Sequence, residues 1–169
     1  MPENGQWELT KERIIFTQKL VGDFIHGIDK ADWFRMPSEG VTHIAWQVGH
    51  LAIANFGLGI TKQRSLGPED ADILPASFPK LFGKGSTPSA DASLYPSAEE
   101  IHAVYKRVDQ HVAKAIEQYD IAGLDEKLDP PHPLFDTKFK ALVFMPSHHM
   151  MHFGQIALLR RLFGNSPVF

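Results

Sequence analysis

The sequence predicts an all-α fold, a four-helix bundle with one long crossover connection. Three observations carry this. Four segments repeat their apolar residues at helical period. Between the second and third lies a stretch rich in Pro, Gly, Ser and Asp, from Ser65 to Pro96. No segment shows convincing strand alternation, and no internal repeat or low-complexity tract interrupts the pattern. A bundle needs at least one such crossover unless its helices simply run up and down.

The first helix is expected from about Thr10 to Ile28. Ile14, Val21, Phe24, Ile25 and Ile28 share a stripe, while Lys11, Lys19 and Asp23 fall off it. The "MPSEG" that follows reads as a turn. The second helix is expected from about Thr42 to Gln63, with Thr42 as its N-cap. It is apolar on two sides: Trp46, Ile53 and Leu58 point one way, Val48, Ala52 and Phe56 the other. A helix of that kind is central or shared with a partner subunit, so a homodimer is expected. Within the crossover, "PASFPKLFG" reads as a short helical turn. Long ordered connections often cover a functional site.

The third helix starts at a capping box, Ser97 with Glu100 three residues on. Ile101, Val104, Tyr105, Val108, Val112, Ala115 and Tyr119 form its stripe. "DIAGLDEKLDPPHPLFDTK" reads as a loop with two adjacent prolines. The fourth helix is expected from about Lys138 to Leu162, stopped at Gly164. Pro146 lies inside it and should kink the helix or mark its true beginning.

The 169 residues favour one domain spanning 1–169. Hydrophobic content of 43% and charged content of 22% are ordinary for a water-soluble globular chain. The net charge of −3 argues against a broad nucleic-acid or anionic-membrane footprint. No apolar run is long enough to span a bilayer. The N-terminal "MPENGQWELTKER" does not resemble a signal peptide, and a cytoplasmic location is expected. There is no cysteine, hence no disulfide, thiolate ligand or cysteine nucleophile.

The unusual count is nine histidines. Three of them fall within "SHHMMHFGQIALLRR". At 3.6 residues per turn, His148 and His152 stand about 40° apart on one helix face. That spacing lets two imidazoles reach one ion. His149, about 60° from His152, is a weaker alternative ligand. His50, in "HIAWQVGHLAIAN", is the best third candidate. Each residue also has a bland reading: a lone histidine on an apolar helix face is more often a hydrogen-bonded core residue. His43 reads as a polar residue at the bundle end or a support for the ligands. His26, His102 and His132 read as solvent or loop residues, and His111 as structural.

No Asp or Glu occurs from Lys138 to Phe169, nor from Val41 to Ser65. This is not the carboxylate-rich di-iron pattern. Three neutral imidazoles leave a divalent ion its full charge, which makes it a strong Lewis acid. Nitrogen-only ligation suits Zn, Ni, Co or Fe and disfavours Mg or Ca. No general base is assignable, and Glu39 and Asp136 are unranked candidates. Trp46, Gln47, Gln155 and the Ser65–Pro96 connection are candidate pocket parts, with core packing or a plain loop as the alternative.

"EGVTHIAWQVGHLAIAN" resembles the second-helix signature of the DinB/YfiT-like proteins, in which a tryptophan precedes a metal-binding histidine by four. "HHMMHFGQIALLRRLFG" is similar to their C-terminal helix, H-x-x-x-H-x-G-Q-I followed by apolar residues and arginines. The resemblance implies a DinB-like four-helix bundle and one divalent transition metal, often zinc or nickel, on His50, His148 and His152. It also implies a homodimer. The chemistry it implies is thiol S-transfer or hydrolysis on a small electrophile, with a low-molecular-weight thiol such as bacillithiol or mycothiol as partner. A thiol-dependent isomerase is a further known member. The alternatives are a non-catalytic metal-binding module for stress response or sensing, and a bundle whose histidines bind nothing. Two positions depart from the family pattern. Pro146 lies just before the first ligand, and Phe153 stands where many relatives carry a basic residue.

Overall fold

The computed structural model describes residues 3–167. Helix α1 covers Asn4–His26 and buries Trp7, Thr10, Ile14, Thr17, Gln18, Val21 and Ile25. It starts six residues before the expected Thr10, because Trp7 and Thr10 extend the buried stripe by one further i, i+3 step. Helix α2 covers Ile44–Phe56 and continues into a π-turn over Gly57–Thr61. Its N-cap is not Thr42. His43 holds extended backbone, and its Nδ1 accepts from the Trp46 N–H at 3.0 Å. The Thr42 hydroxyl instead accepts from Gln47 Nε2 at 3.1 Å.

The crossover contains a short helix, α3, at Phe78–Phe82, where "PASFPKLFG" predicts a helical turn. Helix α4 covers Ala98–Ile116, capped by the Ser97–Glu100 box. The proline-containing loop is not free of strand structure. β1 (Lys127–His132) pairs antiparallel with β2 (Phe135–Thr137), His132 opposite Phe135. Helix α5 covers Lys138–Leu162, with the Thr137 hydroxyl accepting from the Lys140 N–H. Pro146 does not mark its start, since the helix begins eight residues earlier and runs through the proline. Pro146 has no N–H, so the Leu142 carbonyl is without its helical donor.

Four long helices form the bundle. α2 packs against α4 and α5, and α1 packs against α5 and α4. α3 lies on the outer side of α2. Ile14, Val21, Val48, Leu51, Ile101, Val108, Leu142 and Ile156 are buried between them. Val48, Leu51 and Ala52 of α2 have no exposed surface, and Trp46 and Ile53 are half-buried. The Val48, Ala52 and Phe56 side of α2 is thus covered within one chain, while Trp46 and Ile53 on the other side line a cavity. Among the described residues, no helix is long and apolar enough to cross a membrane.

The crossover is fixed at its start by a buried carboxylate. Asp70 is 6% exposed and accepts two bonds from Arg64, at 2.6 and 2.9 Å. His111 Nε2 of α4 lies 2.7 Å from Asp70 Oδ1. The Arg64 guanidinium holds the Asp70 carboxyl well below the ordinary carboxylate range. His111 is thus structural, as its place at the stripe edge predicts.

Candidate metal centre

His50, His148 and His152 come together in the lining of a cavity of about 930 Å³. One nitrogen from each lies within 4.8 Å of the other two. His50 comes from the middle of α2. His148 and His152 come from successive turns of α5, and their Nε2 atoms stand 3.2 Å apart. Two nitrogens on one tetrahedral zinc, each about 2.0–2.1 Å from it, stand roughly 3.3 Å apart. The spacing therefore fits a shared ion.

The far nitrogens explain why the near ones are free. His152 Nδ1 bonds the side-chain oxygen of Gln47. Gln47 is itself oriented, because its amide nitrogen donates to Thr42. His50 Nδ1 lies 2.9 Å from the backbone oxygen of Phe82 in α3. Both oxygens can only accept, so each Nδ1 carries the proton and each Nε2 keeps its lone pair. His148 Nδ1 is buried and has no partner among the described residues.

Burial lowers the pKa of all three rings. His148 falls to about 4 and His152 to about 3, with the neighbouring imidazoles adding to the shift. His50 is lowered by burial, partly offset by the Phe82 carbonyl. Neutral imidazoles are the ligating form, so at neutral pH no proton need leave before an ion enters.

His149 stands apart from this group. It is fully buried, its Nδ1 lies 3.4 Å from the Thr17 hydroxyl of α1, and burial takes it to about 3. His43 caps α2. His26 is exposed, and His102 lies half-buried on α4 beside Lys30. His132 is more than a loop residue, since its ring stacks on Phe135 at 4.2 Å and lines the cavity. Of the two carboxylates considered as bases, neither lines the cavity. Glu39 is exposed, and Asp136 pairs with Lys140 at 2.6 Å.

Trp46, Gln47 and Gln155 line the cavity, as do Ser86 and Pro88 of the crossover. The Trp46 ring stacks on His50, with centroids 4.8 Å apart and planes within 8°. Its indole N–H donates to Ser86, which ties the crossover to the ligand helix. Sequence patterns did not point to the Phe82 carbonyl, Lys62, Lys84 or the Phe135–Phe144 wall. Phe153, the departure from the family pattern, packs on Phe24 of α1 at 4.7 Å.

The bundle and its histidine triad define a helical protein with a three-histidine group able to hold a metal ion. The DinB superfamily model matches residues 14–156, and the chain belongs to that superfamily. A conserved protein from Enterococcus faecalis, known from its crystal structure, has the same fold. Its TM-score is 0.63 at 17% identity, over 94% of this chain and 97% of the other. No curated protein matches this chain.

Proposed function

We propose that this chain is a metal-dependent enzyme that transfers a thiol to a small electrophile, or hydrolyses it, at His50, His148 and His152. The carrying observation is that the triad lines a cavity with no carboxylate in its lining. Three protein ligands with space above them are the arrangement of a catalytic site rather than a closed structural one. Zinc or nickel suits the all-nitrogen donor set. Such an ion, when bound, lowers the pKa of a thiol or water beside it.

The chain's own residues supply the rest. Gln47 and the Phe82 carbonyl hold the two imidazoles with their Nε2 atoms inward. Trp46, Phe135 and Phe144 wall the cavity and exclude water from the apolar part of a substrate. No cavity carboxylate competes for a proton, which favours a nucleophile that ionises by itself, and a thiol does so more readily than water. The non-catalytic metal-binding module is the second reading, and the open, apolar cavity counts against it. A homodimer also belongs to the proposal. Phe16, Leu158 and Leu162 are exposed apolar residues that a second copy would cover, and light scattering at micromolar concentration checks it.

The test begins with elemental analysis of untagged protein beside His50→Ala and His148→Ala. About one divalent ion per chain, lost in both variants, is expected. The loaded protein is then assayed with a haloaromatic electrophile and a panel of low-molecular-weight thiols. Bound ion without turnover across the panel would favour the sensing module. No ion after incubation with zinc or nickel would end the metalloenzyme reading.

A further inference from the structure

The cavity is chemically divided in its lining. Part of that lining is the triad. Its wall is apolar, formed by Trp46, Leu134, Phe135, Phe144 and Met151. Its lining holds two ammonium groups, Lys62 after α2 and Lys84 after α3, and no acidic side chain. Neither lysine lies within ion-pair distance of a carboxylate among the described residues. Other basic side chains flanking this end of the bundle do have carboxylate partners. Arg64 has Asp70, Lys138 has Glu126, and Lys140 has Asp136.

The two lysines act on the same place. His132 is lowered by burial and then by the positive charges of both Lys62 and Lys84. Lys62 Nζ lies 5.8 Å from the centre of the Phe135 ring, which stacks on His132. The cationic part of the cavity and its aromatic wall therefore adjoin. Unpaired cations beside an apolar wall select a ligand that brings both the anion and the apolar body.

We propose that the cavity binds a small amphipathic organic anion, an aryl or alkyl carboxylate. Its carboxylate faces Lys62 and Lys84, and its apolar body lies along Phe135, Phe144 and Trp46. This names the substrate class of the site in the proposed function and rests on that proposal for its catalytic meaning. The binding itself needs no ion. The volume of about 930 Å³ lies at the upper end for small-molecule sites, leaving room for a second small reactant near the triad.

The test is equilibrium binding to the full chain kept metal-free with a chelator, so that its outcome is independent of ion binding. 2-Naphthoate and the neutral 2-naphthamide are titrated by calorimetry against wild type, Lys62→Ala, Lys84→Ala, the double variant and Lys114→Ala as a charge control. Naphthoate is expected to bind about fivefold or more tighter than the amide at low salt, since two partly exposed ion pairs contribute only modestly. The preference should shrink in each single variant, vanish in the double variant, fall with added salt and persist in Lys114→Ala. Equal binding of the two probes, a preference that survives the double variant, or no binding of either overturns the proposal. N-acetylcysteine is the comparison arm. Lysine-dependent binding of this polar thiol, without a naphthoate preference, would place the anion on the thiol and overturn the amphipathic assignment.

Discussion

His50 is oriented by a backbone atom of the crossover: its Nδ1 lies 2.9 Å from the Phe82 carbonyl oxygen. α3 can come this close because the neighbouring position on α2 is glycine. A Cβ on Gly49 would stand 2.4 Å from the Phe82 ring, which is fully buried. Gly49→Ala should therefore push α3 outward and pull the carbonyl off His50. The expected cost is about 1–3 kcal/mol of stability from overpacking. Metal affinity should fall about tenfold as the ligand loses its orienting partner. Denaturant titration in chelator gives the first, and competition with a chromophoric chelator gives the second. Unchanged affinity would show that the carbonyl does not set the ring.

Gln47 plays the same part for His152 and allows a cleaner change. Gln47→Leu removes the acceptor at similar volume and should weaken metal binding about 10–100-fold. Gln47→Glu keeps an acceptor and adds negative charge, which makes the imidazole more basic, so affinity should hold or rise. If both variants bind equally, the bond seen at His152 Nδ1 has no effect on the site.

Buried neutral histidines should make the metal-free protein sensitive to mild acid. Burial takes His43 to about 4 and His149 to about 3, against an ordinary value of 6.5. Between 6.5 and those values the unfolded chain binds protons that the folded chain does not. The contribution of these two histidines is therefore full above about 6.5 and is lost as pH drops. Each residue is expected to cost on the order of 3 kcal/mol by pH 4. Thermal melts from pH 8 to 4.5 in chelator should show the slope, and His149→Leu should flatten it. Equal loss of Tm between pH 6.5 and 5 in wild type and His149→Leu would count against the buried neutral state of His149.

Much of this site was legible as spacing along helices. His148 and His152 are one turn apart, and Trp46 precedes His50 by one turn, so their meeting follows from helical period alone. What decides between His148 and His149 is not in that period. It is Thr17 on another helix, beside which the His149 ring is buried. The Phe82 contribution is a backbone oxygen, which any residue at 82 would supply, so no side-chain pattern announces it. The β1–β2 hairpin was hidden because Pro130 and Pro131 lack ladder donors, and the strand shows no burial alternation. Lys62 and Lys84 are separated by a crossover whose path the sequence leaves open.

Asp109 gives the opposite pH dependence. Its carboxyl accepts from Asn55 at 2.6 Å and Gln18 at 3.3 Å at the floor of a groove between α1 and α4. Burial raises it to about 7, with these donors and Tyr105 only partly offsetting the shift. A carboxyl raised above its ordinary value of 3.8 favours folding while protonated, and that contribution is lost as pH rises from about 4 through 7. Asp109→Asn keeps an acceptor for Asn55 and Gln18 without the charge. Its amide can also donate to Asn55 Oδ1, which is buried with no partner among the described residues. The variant should be more stable than wild type at pH 8, by about 1–3 kcal/mol, with the difference smaller at pH 5. Asp109→Leu strands the Asn55 and Gln18 donors and should destabilise at both pH values by about 1–3 kcal/mol. Denaturant titrations of the three proteins at both pH values separate the charge from the hydrogen bonds. Equal loss in both variants at pH 8 would mean that the ionised carboxylate is the form the fold requires.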